Sequence, residues 1–218
     1  MPPESAPDSG ALAAALETGA AGFRPRLSSA QREQMLALLG ELQEWNARFN
    51  LTAIRDPREM VVKHLLDSLS VQPWLQGGRI ADVGTGAGFP GLPLAIANPA
   101  RRFTLIESTG KKARFVAHAA AALGLTNVEV ANVRAEAYRP PRPFDTVVCR
   151  AVGKVGEFVR IAGHLCAPGG RLLAMKGQHP GPELEPLAKG WALAGVHPVT
   201  VPGLDAARHV VELARTRG

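Results

Sequence analysis

The chain has 218 residues, 46% of them hydrophobic, enough for one α/β domain with a modest extension and a sizeable core. Its 25 Lys and Arg against 19 Asp and Glu leave a net charge of +6, which favours a polyanionic partner and says nothing about fold. Cys149 and Cys166 form no CxxC pair, so neither a disulfide framework nor a zinc site is expected, and no apolar run approaches the roughly 20 residues of a bilayer span.

Residues 1–26 are rich in Pro, Ala, Gly and Ser and read as a flexible tail with some helix at most. The alanine-rich run Ala11–Ala15 follows Glu4 and Asp8 where a signal peptide would be basic, so the cytoplasm is the default location. Ser28-Ser-Ala-Gln31 forms a capping box, and Met35, Leu38, Leu39, Leu42, Trp45 and Phe49 recur at helical spacing. A second helix starts at Asp56-Pro57-Arg58-Glu59, with Val62, Leu65, Leu66 and Leu69 as its apolar stripe. These two helices, residues 27–77, make an N-terminal cap on a domain that runs over 78–218. His64, Asp67 and Ser68 share one face of the second helix. By composition they allow a Ser-His-Asp triad, but same-helix neighbours seldom reach its geometry. A polar face bonded to the domain below, or a place at the mouth of the site, are the alternatives.

The sequence is organised around Arg79-Ile-Ala-Asp82-Val-Gly84-Thr-Gly86-Ala-Gly88-Phe89-Pro-Gly91. A short apolar run stops at Gly84, three glycines alternate, and Leu92, Leu94, Ala95 and Ile96 follow at helical spacing, which reads as strand, tight turn and helix. Gly86 to Gly91 also satisfies the dinucleotide pattern GxGxxG, so an NAD-dependent oxidoreductase stays open. Asp82 argues for another ligand. A carboxylate beside the loop suits a cation and is the wrong sign for a pyrophosphate. S-adenosylmethionine, with its amino group and sulfonium, fits, and Asp82-Val-Gly-Thr-Gly-Ala-Gly resembles the first motif of the Rossmann-like methyltransferases.

The next strand, Phe103–Glu107, ends in an acid about 20 residues past the glycines, where a carboxylate meets ribose hydroxyls. A third strand, Val128–Val133, leads to Ala135 and Glu136, expected beside an adenine edge. Between these strands a helix opens with Lys111, Lys112 and Arg114, against the macrodipole preference for acids, and this hints at an anionic partner. Phe144–Arg150 reads as a strand buried on both sides, with Cys149 as a small hydrophobe and Arg150 as a fixed cation where substrate must come. A helix over Val155–Leu165, the turn Ala167–Gly170 and a strand Arg171–Lys176 follow. A helix over 184–193 and strands Val196–Val201 and His209–Leu213, paired antiparallel, complete the chain. The expected class is α/β: a Rossmann-like, mostly parallel seven-stranded sheet with an antiparallel last strand.

With Asn50-Leu-Thr-Ala-Ile54, His64-Leu-Leu-Asp67-Ser68, the Asp82–Gly91 loop, Cys149-Arg150-Ala151 and Met175-Lys176-Gly177 in view, the chain from residue 28 onward resembles the bacterial ribosomal RNA small-subunit methyltransferase G family, also called glucose-inhibited division protein B. The resemblance implies methyl transfer from S-adenosylmethionine to N7 of one guanine in 16S rRNA. It implies cofactor contacts at Gly84, Phe89, Ala135, Glu136 and Arg150, beside Asp82, Gly86, Gly88 and Glu107 read from the loop. Glu107 and Cys149 stand where aspartate and serine are common. Lys111, Lys112, Arg114 and Lys176 are the expected RNA contacts. No catalytic residue is certain, with Arg150 and Lys176 as candidates, because N7 has no proton to lose and attack needs no general base. The partner is 16S rRNA or the small ribosomal subunit, with no membrane, and a monomer is the default. A methyltransferase of another nucleic acid or small molecule, and a non-catalytic RNA-binding module, are the rivals.

Overall fold

The computed structural model describes residues 9–150, 153–181 and 187–216. Seven strands form one sheet: β1 Arg79–Val83, β2 Arg102–Ile106, β3 Val128–Ala131, β4 Phe144–Arg150, β5 Cys166–Lys176, β6 Trp191–Pro198 and β7 His209–Arg215. Their order is β3-β2-β1-β4-β5-β7-β6, and β7 alone runs antiparallel to its neighbours β5 and β6. β2 and β4 pair in parallel on opposite sides of β1, so the connection order reverses between β1 and β4. The crevice outside the carboxyl ends of strands at such a reversal is where open α/β sheets bind ligands.

Among the described residues three helices and a short 3₁₀ turn, Gln72–Trp74, precede β1. The first, α1 (Ser9–Ala20), corrects the expectation of a flexible tail from residue 9 onward: Leu16 is fully buried, and Gly19 lies so close to Leu66 that a Cβ would not fit. The alanine-rich composition masked this, because two leucines and small residues suffice where a helix lies flat on another. In α2 (Ser29–Phe49) the capping box forms as expected. The Ser28 Oγ accepts from the Gln31 N–H at 3.2 Å, and the Gln31 Oε1 accepts from the Ser28 N–H at 2.9 Å. Asn50 ends α2 in the left-handed region at φ 49°, and the buried Asn46 Oδ1 accepts the N–H groups of Leu51 and Thr52. The third helix, α3, spans 57–69. Pro57–Met60 and Asp67–Leu69 are α-helical, and Val61–Leu66 between them is wound as a π-segment. Such bulges re-aim side chains and recur at functional sites; here the segment carries His64.

Helices α4 (Gly91–Ala97) and α5 (Gly110–Ala122) follow β1 and β2, and α6 (Val155–Ala162) follows β4. One apolar cluster joins the cap to one sheet face through Met35, Leu38, Leu65, Leu92 and Phe115, and a second fills the other face around Phe144, Phe158 and Leu172. Two expectations fail near the C-terminus. Of the helix expected over 184–193, residues 184–186 lie outside the described residues, and none is formed over 187–193, where Trp191–Pro198 is β6, held by antiparallel pairing with β7. Ladder bonds to a neighbouring strand override the helical leucine spacing there. The Ala167–Gly170 turn lies within β5, which begins at Cys166 opposite Phe144 and shifts register before Thr146.

Because Leu16 is fully buried, Leu16→Ala is expected to destabilise the chain by about 2–5 kcal/mol in urea unfolding. A loss under about 0.5 kcal/mol, the size of a surface change, would show that α1 adds nothing to the core.

Candidate active site

The glycine loop joins β1 to α4. Gly84, Gly86 and Gly88 have φ values of 66°, 62° and 87°, which side chains rarely adopt. The N–H groups of Gly84 and Thr85 donate to the Ile106 carbonyl at 2.9 and 3.2 Å, which ties the loop to the end of β2. Asp82 holds it from below. Its Oδ2 accepts from the Thr85 hydroxyl at 2.6 Å and from the Gly91 N–H at 2.8 Å. The carboxylate is fully buried beneath the loop, which it shapes, and from there its charge acts on an occupant through its field. Burial pushes its pKa up from 3.8 to about 6, against the Thr85 and Gly91 hydrogen bonds and the charge of Arg150.

Glu107, just past β2, is buried; its Oε2 accepts from the Gly86 N–H at 2.9 Å and its Oε1 from the Thr109 N–H at 2.7 Å. The Asn132 amide donates to the Glu107 carbonyl at 2.8 Å, bringing the end of β3 to the same corner. A short 3₁₀ turn there carries Ala135, buried, and Glu136, exposed. Thus Gly84, Gly86, Glu107, Ala135 and Glu136 rim the carboxyl ends of β1, β2 and β3. A Cβ built on Gly84 would meet nothing within 4 Å, so the loop faces open space. An acid at a strand end, a short turn beside it and a bare glycine backbone fit an adenosine-bearing ligand.

Phe89 links the loop to a second space. Its buried ring stacks on His64 of α3, with centroids 4.5 Å apart and planes 13° apart, and the Arg150 guanidinium lies 5.5 Å from its centroid. Contact of Phe89 with a ligand is therefore a matter of its backbone. Arg150, at the end of β4, donates to the Lys63 carbonyl at 2.8 Å and to Asp67 Oδ2 at 3.1 Å. Arg208, just before β7, donates to the other Asp67 oxygen at 2.8 Å. Ile54, Lys63, Met175 and Lys176 complete the walls of a cleft of about 400 Å³ with these groups. It holds four cations and one carboxylate. The His64 pKa is lowered to about 3 by burial and then by Arg150, so its ring is neutral. Its Nε2 meets the Thr52 hydroxyl at 3.1 Å, and the Ser68 hydroxyl donates to the His64 carbonyl, an arrangement without the contacts of a triad.

The structure divides the expected RNA contacts. Lys176 lines the cleft and donates to the Gly153 carbonyl at 2.6 Å. Lys111 donates to the Phe49 carbonyl at 3.0 Å, a cation at the C-terminal end of α2, so part of its role is structural. Lys112 is half-buried and Arg114 exposed on α5, and neither lines the cleft. Cys149 is buried, as a small hydrophobe should be, and Ala151 lies outside the described residues. Sequence reasoning missed Thr85 and Arg208. Thr85 falls between two glycines and passes for a spacer; Arg208 sits in a loop with no motif, and only its place one residue ahead of an expected strand could have marked it.

A parallel sheet with this loop, this strand order and an antiparallel β7 defines the class of Rossmann-like, S-adenosylmethionine-dependent methyltransferases. Solved structures with the same fold include TrmN from Thermus thermophilus (TM-score 0.56, 21% identity), where the match covers 69% of this chain and 48% of that longer one. A SAM dependent methyltransferase from Aquifex aeolicus (TM-score 0.52, 21% identity) matches over 68% and 90%. At that identity they speak for the fold alone. Sequence goes further. Residues 31–211 match the family GidB, rRNA small subunit methyltransferase G. The ribosomal RNA small subunit methyltransferase G of Xanthomonas axonopodis pv. citri (strain 306) is 48% identical over 94% of this chain and 95% of its own length. That of Stenotrophomonas maltophilia (strain K279a) is 50% identical over 92% and 93%. The chain belongs to the rRNA small subunit methyltransferase G family.

Buried Asp82 makes stability depend on pH in a defined sense. A carboxyl whose pKa is higher folded than unfolded holds its proton more tightly in the folded state, so its contribution falls as pH rises from about 4 to 6 and the loss is complete above. Asp82→Asn lacks this term and keeps an oxygen for Thr85 and Gly91. From pH 4 to pH 7 the variant is expected to gain on the wild type by up to about 3 kcal/mol in urea unfolding. A difference that stays constant with pH contradicts the buried placement.

Proposed function

We propose that this chain transfers the methyl group of S-adenosylmethionine to N7 of one guanine in 16S rRNA, by direct in-line attack and without a general base. Membership of the family makes it a methyltransferase of small-subunit rRNA. The observation that carries the finer reading is the cleft at the ends of β4 and β5, lined by four cations of which Arg150 and Arg208 are anchored on Asp67, and joined to the glycine loop by the ring of Phe89. S-adenosylmethionine supplies an electrophilic methyl on a sulfonium. The Gly84–Gly88 backbone and Glu107 would hold its amino acid and ribose, and the Ala135–Glu136 corner its adenine. Asp82 keeps the loop in shape and adds a negative field favourable to the donor's charge.

The protein's task is then alignment and exclusion of water, since an unprotonated ring nitrogen with a lone pair needs no side chain to take a proton. Methylation makes the base cationic, so Arg150 and Lys176 have no charge to stabilise at N7. They act instead on the guanine O6 edge or on backbone phosphate, where cations form strong charge-assisted hydrogen bonds. Arg150 is suited to this because Asp67 and the Lys63 carbonyl fix its guanidinium, leaving its remaining donors for substrate. Lys112 and Arg114 extend the basic surface along α5. On this reading the enzyme works in the cytoplasm beside its ribosomal substrate.

The test is methyl transfer to small subunits from cells lacking this protein, followed by mapping of the modified nucleotide. A single N7-methylguanine in 16S rRNA is expected. A mark on another base, or none, sinks the reading. With no proton transfer by a side chain, the single-turnover rate should stay level between about pH 7 and pH 9, and a bell-shaped profile there would reveal a general acid or base. Lys176→Ala should weaken RNA binding and lower the slope of log affinity against log salt by about 1 if its ammonium meets a phosphate.

A further inference from the structure

We propose that the exposed end of α2, the ring of Phe49 with Arg48, Arg55 and Lys111 at the same helix end, is a stacking platform for an unpaired base of the RNA substrate, outside the methyl-transfer cleft. The proposal rests on the reading of the chain as an enzyme of rRNA. The helical spacing predicts Phe49 within the buried stripe of α2, yet it is 39% exposed; among the described residues only Leu193, of the large hydrophobic side chains, is so exposed. Trp45 and Phe49 lie one turn apart with ring centroids 5.3 Å apart. On the facing helix α5, Phe115 and His118 pack against Trp45 at 5.6 and 5.0 Å. A ladder of rings therefore starts in the core at Phe115, passes through Trp45 and ends in water at Phe49. Trp45 already covers Phe115, so the ring of Phe49 does more than close the core.

The surroundings select the occupant. Lys111 donates to the Phe49 carbonyl, Arg55 donates to Asn50 Oδ1 at 3.1 Å, and Arg48 is exposed one residue before the ring. Glu41, the acid that touches the ladder, is bonded to His118 at 2.7 Å. An exposed ring at a helix end that also carries these cations suits a base stacked by its π-face with its phosphates held nearby, the usual way a protein grips single-stranded RNA. The platform is rigid. Asn50 is fixed in the left-handed region, its N–H bonded to Asn46, and Asn46 secures the next two residues. It is also continuous with the cleft. The chain passes from Phe49 through Thr52, bonded to His64, to Ile54 in the cleft wall, five residues that span at most about 18 Å. A base on Phe49 would thus belong to the same RNA segment as the guanine in the cleft, a few nucleotides away.

The experiment compares wild type, Phe49→Leu and Phe49→Trp in binding a small-subunit rRNA fragment that carries the target guanine, at two salt concentrations. S-adenosylmethionine affinity, Tm and sedimentation are measured on the same proteins, and wild-type methyl transfer to small subunits is the control for the enzyme reading. Leucine keeps an apolar side chain at the helix end and removes only the π-face. F49L is expected to weaken RNA binding about tenfold, the loss of one base–aromatic stack, with unchanged salt slope, Tm and donor affinity. F49W should bind at least as tightly as wild type. An active wild type whose F49L variant binds RNA equally well, or an F49W as weak as F49L, overturns the platform alone. A change of sedimentation in F49L with RNA binding intact assigns the surface to a second copy of the chain and also overturns it. A wild type that neither binds nor methylates small-subunit rRNA overturns the platform and the enzyme reading together.

Discussion

The site depends on one buried carboxylate oxygen. Asp82 Oδ2 takes the Thr85 hydroxyl and the Gly91 N–H together, so the end of β1, the glycine loop and the start of α4 are pinned at a single point. The pinning leaves no slack. A Cβ on Gly91 would stand 2.8 Å from that same oxygen and 2.7 Å from Leu105, so only glycine lets the helix start close enough to be held. Ionised burial is costly, and the raised pKa of Asp82 reports that cost. What it secures, together with the Ile106 carbonyl and the Glu107 carboxylate, is a loop with three left-handed glycines at Gly84, Gly86 and Gly88.

From this point the structure builds outward through Phe89. Its ring meets both the neutral imidazole of His64 and the guanidinium of Arg150, so the loop, the N-terminal cap and the end of β4 come together around one side chain. Asp67 extends the connection to Arg208 and hence to β7. Arg150 and Arg208 are each about a quarter exposed while Asp67 is nearly covered, so the carboxylate serves as an internal counter-ion and the guanidiniums face the cleft. The cap is thereby part of the site: without α3 the Phe89 ring would lack its partner and Arg150 its orientation.

Much of this was legible in the sequence where local pattern and chemistry coincide. The β1–loop–α4 unit, the capping box at Ser28, the β4 run and the antiparallel β7 follow from spacing, glycine placement and apolar continuity, and the structure forms them. Legibility ends where a residue's role is set by what approaches it in space. Asp82 reads as a carboxylate set beside the loop for a cationic ligand, and its depth comes from the ladder of β1 between β2 and β4, which buries it. The helix expected around Leu193 gives way to β6 because pairing with β7 is a non-local contact that periodicity does not contain. Lys111 reads as wholly outward because its inward partner, the carbonyl of Phe49, is 62 residues away in the chain. His64 and Asp67 could be grouped by helical spacing, but their partners on other elements, Phe89, Arg150 and Arg208, could not.

The central claim is that a loop held from beneath by Asp82 presents a methyl donor across Phe89 to the cationic cleft. A crystal structure of the chain with S-adenosylmethionine measures this directly. The account predicts the donor on the backbone of Gly84 to Gly88, its ribose at Glu107 and its methyl directed toward Arg150 and Lys176. A donor bound elsewhere, or one on the loop with its methyl turned away from that cleft, would contradict it.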